Sequence, residues 1–476
     1  MTSVQQQRAT SERGLIACLS FAALTGAIVA GLGSPIIYEV SVTRDVSIAD
    51  AQWGLIVTLI VGAVCTPVLS RLADGRLRRN LLVGALLVVT CGSLLAMIPT
   101  FAALMTARSF QGFGYAMVPL TVSIAREQLE GPVLARTLGV LSTSVAVGVG
   151  LGNPAIGLCF LVADYRLAFL LAAVVSGAAA WWVWRRVPAS SDLVGGVRVD
   201  LPGALLLGGG LTASLLVIAR GHVWGWGSLP VLGLSLAGVA LLTGWVLLQL
   251  RLTAPLVDLR LATAHGVLGV NVAAFLLGMG IFGGVSVVVL VAQSPTDTGF
   301  GLGYSVFVYG VLMMPMAFAS LVCPGIARGL AHRIGYRTVL TIGSVTVAAS
   351  FGCFALFHGN VVHILAMMLL LGIGIGLAYS VMPALIVART PEDRVGSATG
   401  VNQVLRLLGG AFGAALIAMV LAAYTPAGEN GPREAGLVVA TLVSCAGALV
   451  AAVVAWVLLP RRDVLLAGVD SHMTAE

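Results

Sequence analysis

Leu72-Ala73-Asp74-Gly75-Arg76-Leu77-Arg78-Arg79 and Leu330-Ala331-His332-Arg333-Ile334-Gly335-Tyr336-Arg337 are two versions of one short polar link, 258 residues apart in a chain of 476. Each joins apolar runs of about 20 residues, the length that crosses a bilayer as a helix. Nearly the same separation returns twice. Gly112-Phe113-Gly114-Tyr115-Ala116 is echoed by Gly374-Ile375-Gly376-Leu377-Ala378 at an offset of 262, and Gly139-Val140, Gly148 and Gly152 by Gly400-Val401, Gly409 and Gly413 at 261. Three independent echoes at nearly one offset divide the chain into equivalent halves. The prediction is an all-α polytopic membrane protein with two six-helix bundles, residues 1–186 and 263–460. Residues 187–262 form a linker with two inserted spans, and 461–476 a tail. Two parallel bundles around a central cavity are the geometry of alternating access.

Composition agrees. The chain is 59% hydrophobic and 9% charged, against roughly a quarter charged in soluble domains. A soluble globule is excluded, and no stretch is left for a large soluble domain. Fourteen spans are expected near 14–39, 52–70, 80–98, 100–125, 136–162, 166–184, 201–219, 228–249, 267–292, 303–327, 338–357, 361–388, 397–424 and 437–459. The first reads as a retained span, since its apolar stretch is too long for a signal-peptide core. All 26 basic residues are arginines. If the termini are cytoplasmic, 20 of them fall on inner segments and 4 on outer ones, which fixes the orientation. Only Arg108 and Arg406 lie within spans. Arginines in short connectors control topology, so nucleic acid is not an expected partner. The seven cysteines lack metal-binding spacing, and no metal or cofactor is expected.

The link Ser70-Arg71-Leu72-Ala73-Asp74-Gly75-Arg76-Leu77-Arg78-Arg79 resembles the signature loop of the major facilitator superfamily, roughly G-x-L-a-D-R-x-G-R-R. It keeps Leu72, Asp74, Arg78 and Arg79, with Ser70 and Leu77 at usual glycine positions. The resemblance implies a gate in which Asp74 holds the bundles together on the cytoplasmic side, against the positive N-terminal end of span 13 near Ser397. Arg108-Ser109-Phe110-Gln111-Gly112-Phe113-Gly114-Tyr115-Ala116 in span 4 is similar to the R-x-x-Q-G-x-G-x-A motif of the superfamily's drug exporters. Span 5, with Gly139, Gly148, Gly152, Asn153, Pro154 and Gly157, is similar to their G-x8-G-x3-G-P-x-x-G-G motif, the proline one place late. Glycines at these spacings permit close helix approach, and Pro154 bends the helix. Pro391-Glu392-Asp393-Arg394-Val395-Gly396-Ser397-Ala398 through Asn402, Arg406, Gly409 and Gly410 resembles a segment of the fourteen-span drug:proton antiporters.

Arg108 lies about eight residues, roughly 12 Å, inside its span. An arginine there costs at least ~2.5 kcal/mol by insertion scales, so a wet cavity or a partner is expected for it, with Gln111 sharing its face at i+3. Snorkelling to the surface is the alternative. The expected cavity lining is Arg108, Gln111, Tyr115, Asn271, Tyr309, Asn402, Gln403 and Arg406, with Phe282, Met313 and Met314 as apolar surface. The family resemblance implies an exporter of amphipathic small molecules, acting as a monomer in the cell membrane and coupled to protons. An importer or facilitator of the same fold, or a non-transporting receptor or scaffold, stays open. An enzyme is not expected, since no cluster of catalytic residues gathers at one face. Exporters of this group usually carry an acidic residue in span 1, absent from Leu24-Thr25-Gly26-Ala27-Ile28-Val29-Ala30. All 19 acidic residues fall at span ends or in loops. The nearest candidate proton carriers are Glu39 and Asp164.

Overall fold

The computed structural model describes residues 2–73, 77–162, 165–188, 200–252, 255–264, 266–390, 395–426 and 431–459. Every regular element among them is helical. The first half holds α1 (Thr2–Gly31), α2 (Ile37–Arg44), α3 (Ile48–Ala51), α4 (Trp53–Leu72), α5 (Arg78–Leu95), α6 (Phe101–Gln111), α7 (Met117–Gln128), α8 (Gly131–Val162) and α9 (Tyr165–Arg186). Next come α10 (Leu201–Trp224), α11 (Leu229–Arg251) and α12 (Leu259–Ala262). The rest are α13 (Leu268–Gln293), α14 (Val306–Leu312), α15 (Met314–Ile334), α16 (Tyr336–Leu356), α17 (Val361–Val387), α18 (Val395–Ala423) and α19 (Glu434–Leu458).

Twelve helical stretches among the described residues are long and apolar enough to cross a membrane. That is two fewer than the fourteen expected. The difference lies in spans 4 and 5. Span 4 is interrupted: α6 and α7 are separated by a 3-10 turn, Gly112–Ala116. The 32-residue α8 contributes Gly152–Val162 as a shorter apolar helix. The 3-10 turn follows from close packing on both sides. A Cβ on Gly112 would stand 2.8 Å from the Thr58 carbonyl oxygen, and one on Gly26 of α1 would stand 2.7 Å from the Gly114 carbonyl oxygen. The echo in α17 has no such break; α17 runs continuously through Gly374 and Gly376.

The echoed glycines do equivalent packing work. In α8, a Cβ on Gly148 would meet Ala27 Cβ at 2.8 Å and Leu24 O at 2.9 Å, so α8 lies directly on α1. In α18, Gly409 and Gly413 sit against the Phe275 and Met279 carbonyls of α13. Small residues let backbones approach in a medium where apolar burial alone does not drive helices together. The echoed links differ in their turn. Gly335, at φ +88°, makes the tight corner between α15 and α16, in a region disfavoured for L-residues, whereas its counterpart Leu77 turns at φ −99°.

Contacts between the N-terminal and C-terminal helices run mainly through α4 with α18 and α8 with α14 and α15, with smaller ones of α3 on α18 and α2 on α13. The main pairs exchange under the 258–262-residue repeat. On the face away from the N-terminus the α8–α14 contact is backbone on backbone. A Cβ on Gly310 would stand 2.6 Å from Asn153 O, and Gly157 lies against the backbone of Phe307. On that far face Gln293 Nε2 also donates to Pro35 O at 3.0 Å. The inserted α10 packs along the α4–α18 seam, with Leu207, Leu211 and Leu215 in one apolar cluster with Leu55, Leu59, Val404 and Ala411. Arg220 at its end is ion-paired with Asp50 of α3. α11 packs on α10 and leaves Leu232, Leu236, Val239 and Leu247 exposed, the surface of a lipid-facing helix.

Candidate functional site

The polar link after α4 is anchored by its second arginine. Arg78 Nε donates to Ala73 O at 2.7 Å, and its Nη1 pairs with Glu127 Oε2 of α7 at 3.1 Å. Arg79 reaches Asn80 Oδ1 at 3.4 Å and Val187 O at 3.5 Å, long contacts that hold the link loosely to the end of α9. Glu127 was not among the residues singled out from sequence; its only signal there is an acid closing span 4 beside an arginine-rich connector. Asp74 and Asp164 lie outside the described residues, as does the side chain of Ser397.

Arg108 is fully buried. Its Nη1 donates to Gln111 Oε1 at 2.5 Å and its Nε to Gly54 O at 3.2 Å. Gln111 passes the chain on, donating from Nε2 to Ser93 Oγ of α5 at 3.0 Å. Thr58 donates to the Arg108 carbonyl at 3.0 Å. Nη2 has no hydrogen-bond partner and points at the turn between α1 and α2, where a Cβ on Gly33 would lie 2.5 Å from it. Of the settings expected for this arginine, the structure adopts the protein partner: it neither snorkels nor opens onto a wet cavity, because Gly33, Gly54 and Leu55 close over it. Glu39 is not among its contacts. It stands in the first turn of α2.

Arg406 contrasts with it. It sits in the middle of α18, half-buried, with Nη2 donating to Gln403 Oε1 one turn earlier. Its guanidinium carbon lies 4.5 Å from the ring centroid of Tyr379 on α17, within cation–π range. Tyr379 and Tyr115 both lie in its electrostatic field, and Tyr115 feels Arg108 as well. Tyr115 is half-buried; it lies against Gly62 of α4 and, like Phe282, packs on the apolar cluster of Leu55, Leu59, Val404 and Ala411. Phe282 closes on Gly410, whose Cβ would stand 2.7 Å from the ring. The structure therefore brings Gln403 and Arg406 together with Tyr379, which sequence reading missed, with Tyr115 within reach of the same charge and Phe282 one turn along α18 at Gly410. Tyr379 is a lone aromatic in an apolar span, and nothing in the chain announces that α17 places it under Arg406.

Other expected lining residues go elsewhere. Asn402 Nδ2 donates to Asn271 Oδ1 at 3.0 Å, and Asn271 Nδ2 to Ala262 O at 3.0 Å. Both are buried near the N-terminal face, so they tie α18 to α13 and the α12 connector instead of facing open space. Tyr309 is fully exposed to nothing but protein, its hydroxyl unpartnered, and Met313 is buried beside it; both are set in the α14 packing against α8. Met314 is exposed. Gly148 and Gly152 pack on α1, a Cβ on Gly152 standing 3.4 Å from Ile28, and Pro154 lies against Gly310 of α14.

Membrane-spanning helices in two halves, pressed together by repeat-related pairs and carrying arginines in their interior, define a membrane transporter. Sequence comparison gives the family. The Major Facilitator Superfamily model matches residues 15–414 and 291–471, and the chain belongs to that superfamily. It is 30% identical over 407 residues to the cephamycin export protein CmcT of Amycolatopsis lactamdurans, covering 83% of this chain and 82% of that one. It is 29% identical over 447 residues to the puromycin resistance protein pur8 of Streptomyces alboniger, covering 89% and 86%. These similarities are consistent with the drug:proton antiporter family. The fold is similar to the nucleoside transporter NupG, with a TM-score of 0.63, 14% identity, and coverage of 94% and 100% of the two chains.

Proposed function

We propose that this transporter exports amphipathic organic compounds, drugs or metabolites, by alternating access across the cell membrane. The observation that carries the reading is the relationship to CmcT and pur8 across more than four-fifths of the chain. In this reading the protein has fourteen spans, with the interrupted α6–α7 rod and α8 as spans 4 and 5. Its bundles are residues 1–186 and 263–460, with the two inserted spans peripheral and a single chain as the working unit. The twenty-to-four arginine bias supports cytoplasmic termini. The packing of α8 on α14 then closes the outer side, and export requires that seam to part.

Inward proton flow drives the cycle in this reading. Its candidate carrier is Glu39, which opening of the outer half would have to bring into exchange with Arg108; pairing lowers a carboxyl pKa and release into an apolar setting raises it. Asp74, bridging to the start of α18, is the cytoplasmic gate, with Arg78 and Arg79 fixing its link. A strain overproducing the protein should tolerate one or more toxic amphipaths better than a strain carrying Arg108→Ala. Energised uptake into cells of the same compounds, with no gain in tolerance, would mean an importer. Glu39→Gln should lower pH-gradient-driven export and spare substrate binding; unchanged gradient-driven export would remove Glu39 from the cycle.

A further inference from the structure

We infer that Arg406, with Gln403 and Tyr379, forms a subsite for the negatively charged group of an aromatic, amphipathic organic anion. The inference rests on the export reading and names its substrate class.

Arg406 is the exposed member of the two intramembrane arginines. Its guanidinium spends Nη2 on Gln403 Oε1 and one face on Tyr379, and no carboxylate pairs with it among the described residues. The sequence offers none in the membrane interior, since every Asp and Glu stands at a helix end or in a connector. The remaining N–H groups of the fork are therefore free for a ligand. A guanidinium held over a ring and tied to a neighbouring amide has lost much of its freedom in advance, and its planar fork suits two parallel hydrogen bonds to a carboxylate or sulfonate. In a water-poor interior such a charge also attracts anions and repels cations more strongly than at a surface.

The neighbours set the rest of the ligand. Tyr115 stands within reach of the charge, and Phe282 packs on α18 one turn further along, at Gly410, so aromatic surface lies close to the fork. Tyr115 comes from the first half and Arg406 from the second, so a molecule with an aromatic body and one anionic end would touch both halves at once. A cationic amphipath would meet two arginine fields with no counter-charge. The sealed Arg108 makes no hydrogen bond to a ligand here, but its charge adds to the same field.

The test uses one aromatic body with three charges: 1-pyrenebutyrate, its neutral amide and its trimethylammonium analogue. Binding to the purified full-length protein in nonionic detergent is read by energy transfer from its tryptophans to pyrene. The anion should bind at least tenfold more tightly than the cation. Arg406→Gln should erase that preference by weakening the anion tenfold or more, with the neutral amide changed less than threefold; Arg406→Lys should restore part of the loss. Equal affinities for anion and cation, absence of anion binding, or an unchanged anion affinity in Arg406→Gln would overturn the subsite. Uptake of the same probes into proteoliposomes tests the reading beneath it. Translocation of the cation or amide without anion preference would leave a transporter and remove this site, whereas no protein-dependent translocation of any toxic amphipath would remove the export reading itself.

Discussion

Two arginines lie inside the membrane region, and the protein treats them oppositely. Arg108 is wrapped by the α1–α2 turn, α4 and α6, with Nη1 and Nε of its guanidinium committed to Gln111 and a backbone carbonyl. Arg406 is left half open, braced by a ring and a neighbouring amide. Equal sequence signals, a cation amid apolar residues, thus reach different ends. An intramembrane charge is tolerated either by satisfying it internally or by giving it water and a ligand. The first choice makes Arg108 part of the framework of the first half. The second leaves Arg406 as a binding element.

The largest expected effect comes from removing the sealed charge. Arg108→Met strips Gln111 Oε1 of its donor in a closed site and leaves a gap around the shorter side chain, a loss of about 3 kcal/mol, while Gly54 O keeps the Thr58 hydroxyl. It should lower the thermal midpoint and the yield of folded protein together with transport. Arg406→Met should keep the fold, with a midpoint close to wild type, and lose anion binding only. Thermal unfolding followed by tryptophan fluorescence compares them directly, and equal destabilisation by both changes would erase the contrast.

Access gives a second separation. On a background without native cysteines, Arg406→Cys should react with a charged thiol reagent, and Gln111→Cys, beside the sealed arginine, should not. Rapid labelling at 111 would mean that the Arg108 site opens readily to water.

How much of this was legible in the sequence follows from what each feature depends on. The helices were readable because hydropathy is a local property, and glycine spacing marked span 5 and its echo for close helix approach, but not that α1 and α13 would be the partners. The break in span 4 was not readable. Glycine-rich turns read equally well as tight α-helix, and only the approach of Thr58 O and Gly26 decides for the 3-10 path. The polar residues of the site were named as candidates, but sorting them needed three-dimensional partners. Asn271 and Asn402, 131 positions apart, satisfy each other, and no spacing rule predicts that pairing. Gly33 and Tyr379 were missed because their importance lies wholly in which arginine they touch.

Gly33 sharpens the comparison at intermediate size. Its missing side chain is what lets the turn after α1 close over Arg108 Nη2, so Gly33→Ala should cost about 1–3 kcal/mol by overpacking, unless the guanidinium shifts. The loss should largely disappear in an Arg108→Met background, where the flexible thioether makes room. Additive losses in the double variant would show that Gly33 is needed for something other than the arginine.

The smallest effect tests the open arginine. The Tyr379 hydroxyl is buried without a partner, so it costs desolvation and returns no hydrogen bond. Tyr379→Phe keeps the ring beneath Arg406 and deletes only that group. It should leave anion affinity within about twofold and stability unchanged or raised by up to ~1 kcal/mol. Tyr379→Leu keeps apolar bulk but removes the π face, a loss of about 1 kcal/mol, or roughly fivefold in anion affinity, as the fork loses its brace. The order Phe equal to Tyr, both above Leu, is the signature of a ring acting through its face. If Phe fell to the level of Leu, the hydroxyl itself would be a ligand contact, and the anion would sit deeper, between Arg406 and the tyrosine oxygen.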